Sequence, residues 1–145
     1  YSCEITLDPN TAHSRLLLSE GNRKVKVMER HQSYSSHRDR FSDYYQVLSK
    51  ERTGRCYWEV EWKDRVYVAV AYKNISRAGS GNECRFGCND KSWALDCYQE
   101  GYKFRHHNIK TSISGPSSSR VGVYLNHRAG ILSFYSVSET MTLLH

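Results

Sequence analysis

The stretch GRCYWEVEW, residues 54–62, gives the strongest indication of the fold. Successive side chains of an extended chain point to opposite faces. Trp58, Val60 and Trp62 therefore share one face, and the two glutamates between them share the other. This alternation predicts a strand with one face in a core. We expect the two tryptophans to be mostly buried on the inner face of a central strand, and the glutamates to be more exposed.

The rest of the chain shows almost no helical periodicity, and short runs rich in β-branched and aromatic residues recur between turn signals. The predicted fold class is all-β, a sandwich of two antiparallel sheets with little helix. Its predicted strands cover residues 4–7, 15–19, 24–27, 45–48, 55–62, 67–72, 92–98, 103–106, 120–125 and 131–137. The run 67–72 is apolar throughout, which predicts a fully buried central strand.

Length and composition indicate one globular domain. The chain has 145 residues, 39% of them hydrophobic, and a formal net charge of +6. No apolar run is long enough to cross a bilayer, and the N-terminus lacks the pattern of a signal peptide. The positive charge favours acidic partners in general, but there is no nucleic-acid-binding motif. We therefore expect no specific nucleic-acid partner and no membrane binding by this domain alone. A local basic patch consists of Arg23, Lys24, Lys26, Arg30, Arg38 and Arg40.

The five cysteines cannot all pair internally, and their spacing matches no disulfide framework. This favours a reducing compartment, and hence a cytoplasmic location. Cys56 and Cys97 lie in predicted strands and are expected to be small buried residues. Cys84 and Cys88 could begin a zinc site, but no second closely spaced pair completes the usual pattern. We predict neither a metal nor another cofactor.

No arrangement of residues indicates catalysis, so the domain is not expected to be an enzyme. The chain has no nucleophile-elbow motif and no Walker loop, and its many serines and histidines show no motif that would bring them together. Three polar segments, residues 30–43, 76–83 and 111–119, are predicted loops. Loops on a rigid β scaffold normally carry binding specificity.

Three ordered motifs resemble a known family. EITLDPNTAHSRLLLSEGNRKV (residues 4–25) resembles the PRY segment, GRCYWEVEW the start of the SPRY core, and VGVYLNHRAGILSFYSV (121–137) its third signature. RFGCNDKSWALDC (85–97) lies between them, so the resemblance to PRY-SPRY (B30.2) domains spans the chain. It implies one domain over residues 1–145, with a PRY segment at 1–49 and a SPRY core at 50–145. Members usually continue for about one more strand, so we expect either that the C-terminus of the given sequence is truncated or that the last strand is absent.

The resemblance implies a bent β-sandwich, of the concanavalin-like jelly-roll kind, that binds proteins or peptides through loops at one end. Motif alignment with the family's antibody-binding member places contacts at Tyr67, Asp96 and Tyr98, with Tyr102 in the turn that follows. Asp96 and Tyr98 replace tryptophans, so antibody binding itself is not implied. The segment 30–43 matches the family's first variable loop, where the expected contacts are Tyr34, Arg38 and Arg40.

Three functions follow as expectations. The leading one is a recognition domain of an innate-immune ubiquitin ligase or sensor that binds a protein or peptide target, and the positive net charge favours an acidic one. The second is the C-terminal domain of a stonustoxin-like toxin, which would be secreted. The residues of the motifs are similar to those of such toxins and of fish immune proteins. The third is a butyrophilin-like sensor of a small phosphorylated anion, for which the available residues are Arg65, Arg105, His106 and His107.

Overall fold

The computed structural model describes residues 2–50 and 54–145. Helix in this part of the chain is limited to one short 3-10 turn, Asn82–Cys84. The strands are β1 (Leu16–Ser19), β2 (Lys24–Val27), β3 (Arg55–Glu61), β4 (Val66–Ala71), β5 (Ser92–Tyr98), β6 (Gly101–His106), β7 (Ile109–Ile113), β8 (Arg120–Asn126), β9 (Ile131–Val137) and β10 (Met141–Leu143).

Two antiparallel four-stranded sheets form the sandwich, which confirms the predicted fold class. One sheet has the order β10-β9-β8-β3, the other has the order β4-β5-β6-β7, and β1 and β2 form a separate hairpin. The main core includes Leu95 of the second sheet and Val121, Val123 and Phe134 of the first, all fully buried. Burial of these apolar side chains supplies the main driving force for folding.

The alternation in β3 is as predicted, but its position in the sheet is not. Trp58, Val60 and Trp62 pack against the main core, whereas Glu59 and Glu61 are exposed. The tryptophans are only half-buried, because β3 is an edge strand whose ladder partner is β8 alone. A side chain on an edge strand has a neighbouring strand on one side only, so part of it stays in contact with solvent.

The apolar strand β4 is also an edge strand rather than a central one. Val68 points into the main core, and Ala69 and Ala71 pack on the other face against a second apolar cluster. That cluster includes Phe41 from the N-terminal segment and Phe86 from the loop before β5. Cover on both faces explains why the run 67–72 is apolar throughout.

Two predicted strands are wrong, and two strands of the structure were not predicted. Residues 4–7 and 45–48 lie side by side but form only one isolated bridge, between Leu7 and Ser49. The strands β7 and β10 were not predicted. They are exposed edge strands, so they lack the alternation of apolar and polar residues that burial of one face imposes.

The prediction that the cysteines stay unpaired is wrong for Cys3 and Cys56. They form a disulfide, with their Cα atoms 5.6 Å apart, that joins the N-terminal segment to β3. Spacing along the chain did not reveal this proximity, which depends on folding across 53 residues. Cys97 is a buried free thiol, as expected, and burial raises its pKa to about 12. No helix in the described residues is long and apolar enough to span a bilayer.

Candidate functional site

The outer face of the second sheet brings together three of the residues predicted from sequence. Tyr67 on β4 lies directly opposite Asp96 on β5, which lies opposite Lys103 on β6. Tyr98 follows Asp96 by two residues and therefore shares its face. The intervening residue, Cys97, points the other way into the main core. Strand register thus groups Tyr67, Asp96 and Tyr98 as the motif alignment implied.

Asp96 is held by a two-pronged ion pair with Arg65. Arg65 Nε donates to Asp96 Oδ1 at 3.0 Å, and Nη2 donates to Oδ2 at 2.7 Å. The carboxylate side chain is 1% exposed, whereas the Arg65 side chain is 58% exposed. Hydrogen bonding and the charge of Asp96 raise the pKa of Arg65 above its ordinary range. The pair therefore carries its positive group on the surface and its negative group inside.

Two tyrosine rings flank this ion pair. The Arg65 guanidinium carbon lies 5.5 Å from the centre of the Tyr67 ring and 5.8 Å from the centre of the Tyr98 ring. Arg65 Nη2 also donates to the Tyr67 hydroxyl at 3.2 Å. On the other side, Lys103 Nζ lies 5.8 Å from the centre of the Tyr98 ring. Cations over aromatic faces are attracted by the ring quadrupole, so these contacts restrain the rings.

A surface groove runs from this cluster across one end of the sandwich; we call it the end groove. Its first part, of about 430 Å³, is lined by Asp64, Arg65, Asp96, Tyr98, Gln99, Glu100 and Lys103. Its second part, of about 330 Å³, is lined by Trp62, Lys63, Asp64, Gln99, Ser117, Ser118 and Ser119. The two parts share Asp64 and Gln99, so they are continuous. The walls carry both acidic and basic side chains and are not uniformly basic.

Lys103 and the segment 117–119 were not among the residues predicted from sequence. Lys103 could have been found from the tight β5–β6 connection, which places it across from Asp96. The serine segment has no comparable signal, because its position depends on how β7 leads into β8.

The first variable loop uses two of its three predicted residues for internal contacts. Arg40 Nη1 donates to the carbonyls of Pro9 and Ala12, each at 2.8 Å. Its guanidinium carbon lies 4.6 Å from the centre of the Tyr34 ring, and the Tyr34 hydroxyl donates to a β1 carbonyl. Arg38 is exposed. Arg40 and Tyr34 therefore stabilise the loop, and Arg38 remains the most accessible of the three.

Tyr102 lies on the opposite side of the sheet from the end groove. It is 2% exposed, and its hydroxyl donates to the carbonyl of Pro116 at 3.0 Å. The sequence predicted a position for it in a turn beside Tyr98. It belongs instead to β6, where it pairs with the core residue Cys97 and points into the main core. It is therefore not available as a surface contact in this structure.

The four residues of the anion-sensor alternative do not converge. Arg105 is 4% exposed on the outer face, with its guanidinium carbon 5.5 Å from the Tyr67 ring centre. His106 points to the other face and stacks on Trp93, with ring centres 4.6 Å apart. His107 lies in the turn after β6, and Arg65 is engaged by Asp96. The described residues also contain no group of three or more His, Cys, Asp or Glu side chains that could hold a metal.

Comparison with protein-family models decides the family. The model of PRY, the SPRY-associated domain, matches residues 5–53, and the model of the SPRY domain matches residues 55–144. The chain belongs to the PRY-SPRY family. Domains of this family are recognition modules that generally bind protein targets.

Relatives of this PRY-SPRY domain include toxins and tripartite-motif proteins. Stonustoxin subunit beta of Synanceia horrida is 43% identical over 150 residues, which cover all of this chain and 21% of the toxin subunit. Tripartite motif-containing protein 16 of Mus musculus is 36% identical over 150 residues, covering all of this chain and 27% of that protein. The chain thus spans only about a fifth to a quarter of the length of these two relatives.

Solved structures show the same PRY-SPRY fold. The stonustoxin structure superposes with a TM-score of 0.90 at 41% identity, covering all of this chain and 23% of that one. The TRIM65 PSpry domain superposes with a TM-score of 0.87 at 24% identity, covering 99% of this chain and 77% of that one.

Proposed function

We propose that this PRY-SPRY domain is a non-catalytic recognition module that binds a protein or peptide in the end groove. The observation that carries the proposal is the cluster of Arg65, Tyr67, Asp96 and Tyr98 at the head of the groove. The rings lie against an ion pair whose carboxylate is almost fully buried. Such a surface is preorganised, so a partner would lose little binding energy in ordering it.

Arg65 and Tyr98 are the expected anchors. Tyrosine and arginine are enriched among the residues that contribute most to protein interfaces. Arg65 uses Nε and Nη2 to hold Asp96, and Nη1 has no hydrogen-bond partner among the described residues. Nη1 is therefore free to donate to a carbonyl or carboxylate of a partner. Tyr98 offers a half-buried ring beside it.

The charged side chains of the end groove indicate the chemistry of the partner more closely than the net charge of the chain does. Lys103 and the free edge of Arg65 favour an acidic group at the head of the groove, whereas Asp64 and Glu100 favour basic or polar neighbours. We therefore expect a partner segment with an acidic residue flanked by polar or basic ones, rather than a uniformly acidic surface.

A phage-displayed library of random peptides, selected against the immobilised domain, tests this proposal. Peptides enriched on the wild-type domain should bind Tyr98→Ala at least ~10-fold more weakly, as expected for loss of an interface anchor. The matched control is Tyr72→Ala. Tyr72 is 48% exposed. Arg65 immediately precedes β4 and Tyr72 immediately follows it, so Tyr72 lies at the far end of the strand from the groove and its loss should leave binding unchanged.

The control for folding is the melting temperature, which should be nearly the same for both variants. Enriched peptides that bind Tyr98→Ala and Lys103→Ala as tightly as wild type would show that the end groove is not the binding surface. If no peptide is enriched on the wild-type domain, the proposal of peptide recognition fails.

The parent protein has two candidates. A tripartite-motif ubiquitin ligase or related immune sensor remains the leading proposal, although the Cys3–Cys56 disulfide no longer supports the reducing compartment expected from the cysteine spacing. The similarity to stonustoxin, at 43% identity against 36% for the tripartite-motif relative, favours a secreted cytolytic toxin as the second. Sequencing the full-length transcript separates them, since a RING finger and B-box would support the first and a stonustoxin-like preceding region the second. The anion-sensor alternative gains no support, because its four residues are spread over both sheet faces and a turn.

A further inference from the structure

The strand β2 has an open edge. It pairs with β1 only, and all four of its residues are exposed. In an antiparallel pair, residues alternate between those that hydrogen-bond to the neighbouring strand and those whose backbone groups point away from it. Which residues of β2 bond to β1 is determined at the open end of the hairpin. There the Met28 N–H donates to the Arg15 carbonyl at 2.8 Å, so Arg15 and Met28 form a hydrogen-bonded pair.

With this alternation, Lys24 and Lys26 bond to β1, and Val25 and Val27 direct their N–H and C=O groups outward. Within the described residues, no other strand or loop supplies a hydrogen bond to these outward groups. An exposed row of unpaired backbone groups is a template for another strand. We call the outward backbone of Val25 and Val27, with the side chains of β2, the β2 edge.

The side chains of the β2 edge are divided by face. Val25 and Val27 lie on the face of Leu16 and Leu18, and they remain 42% and 55% exposed. Lys24 and Lys26 lie on the other face, and neither forms an ion pair with any described residue. One face of this strand is thus apolar and incompletely covered, while the other is cationic and without a counter-charge.

We propose that the β2 edge binds an extended peptide segment whose residues alternate between apolar and acidic, as a third strand of the β1–β2 hairpin. Backbone hydrogen bonds to Val25 and Val27 would provide affinity, as in other cases of strand addition. The apolar residues of the segment pack beside the two valines, and its carboxylates lie beside Lys24 and Lys26. Cross-strand pairs of opposite charge stabilise such pairing. This surface is separate from the end groove and does not depend on it.

The same lysines disfavour a second copy of this chain as the occupant. Pairing two β2 edges would place lysines of one copy beside lysines of the other, and like charges in cross-strand positions are destabilising. Lysines on edge strands are a common means of preventing self-association. The β2 edge therefore discriminates between partners by charge, while its backbone accepts any extended chain.

Three capped synthetic peptides test the proposal on the full 145-residue chain. The first alternates Glu and Val, the second has the same composition in two blocks, and the third alternates Lys and Val. Affinity is measured by calorimetry, and hydrogen exchange is followed at the amides of Val25 and Val27. The alternating Glu/Val peptide should bind and slow exchange at both amides, and the other two should not.

Two variants locate the binding. Val25→Pro removes an outward N–H that β1 does not use, so the hairpin should persist and the Glu/Val peptide should bind at least ~5-fold more weakly. Retained protection of the Lys24 and Lys26 amides shows that the hairpin is intact. Lys24→Glu with Lys26→Glu should abolish binding of the Glu/Val peptide and create binding of the Lys/Val peptide. The matched control is Lys110→Glu on the exposed edge strand β7, which should change nothing.

The proposal is overturned if the block peptide binds as tightly as the alternating one, because attraction would then depend on charge without strand pairing. It also fails if no peptide slows exchange at Val25 and Val27. Vesicles containing phosphatidylserine supply the remaining comparison. If they bind the chain through Lys24 and Lys26 while the Glu/Val peptide leaves both amides unprotected, the surface recognises lipid and the peptide proposal is wrong.

Discussion

Substitution of Arg65 by methionine provides a direct test of how the head of the end groove is built. Methionine keeps most of the aliphatic stem of arginine and removes the guanidinium. Asp96, 1% exposed, would then lose both of its hydrogen bonds from Arg65, at 3.0 and 2.7 Å. No other described group donates a hydrogen bond to this carboxylate, so a nearly buried negative charge would be left without a partner.

The expected cost can be estimated from related cases. Removing one partner of a fully buried ion pair typically costs about 3–5 kcal/mol, because the remaining charge is not compensated. The Arg65 side chain is 58% exposed, so solvent already screens the pair and can partly hydrate the carboxylate after the change. We therefore expect a loss of about 2 kcal/mol in the free energy of unfolding. For a domain of this size that lowers the melting temperature by about 7 °C.

Urea denaturation followed by tryptophan fluorescence measures this loss. Asp96→Asn in the Arg65→Met background should restore part of the stability, because an uncharged amide is less costly to bury than a carboxylate.

Lys103→Met is the matched control. It removes a positive charge from the same face, and Lys103 forms no ion pair within the described residues, so the change should stay within about 0.5 kcal/mol. A loss below about 0.5 kcal/mol for Arg65→Met itself would contradict the estimate. So would a double variant no more stable than Arg65→Met, since the cost would then not come from the unpaired carboxylate of Asp96.

Further predictions concern the rest of the domain. Cys3→Ser removes the disulfide between Cys3 and Cys56, which are 53 positions apart in the sequence, and should lower the free energy of unfolding by about 4 kcal/mol. Identical urea curves of the wild-type domain with and without dithiothreitol would contradict this. Burial lowers the pKa of His13, whose Nδ1 accepts the Arg15 N–H. Its contribution to stability should be full above pH ~6.5 and decline as the pH falls through that value, and His13→Asn should flatten this dependence. Tyr102→Phe removes a buried hydroxyl and should cost about 1 kcal/mol without changing peptide binding, as measured by urea denaturation and calorimetry.

The fold class could be predicted because local patterns report which face of a strand is buried. The alternation around Trp58 and Trp62 identified β3, and the turn at 126–130 identified the β8–β9 hairpin. Local patterns could not predict where a strand lies within its sheet. β3 pairs with β8 across nearly half the chain, and no local feature of either strand specifies that partner or leaves β3 at an edge.

The grouping of the candidate-site residues could be predicted only where motif alignment fixed the register. It placed Tyr67, Asp96 and Tyr98 on one surface, and the structure brings these three together. It did not reveal that Arg65 is the partner of Asp96, because the two are brought together by the β4–β5 pairing across 31 residues. Tyr102 was misplaced because the tight connection between β5 and β6 reverses the chain within two residues and pairs it with a core position.

The net charge of +6 is not concentrated at the end groove. Of the cations that line the groove, Arg65 is already neutralised by Asp96, and Lys63 and Lys103 share the lining with Asp64 and Glu100. Lys24 and Lys26 on the β2 edge have no such partner in the described part of the chain. Salt screens exposed charges over about 8 Å at physiological ionic strength, and it affects uncompensated charges most. Binding at the β2 edge should therefore weaken steeply with added salt, while binding in the end groove should weaken only slightly, because the Tyr98 ring and the hydrogen bond from Arg65 Nη1 would supply most of its energy.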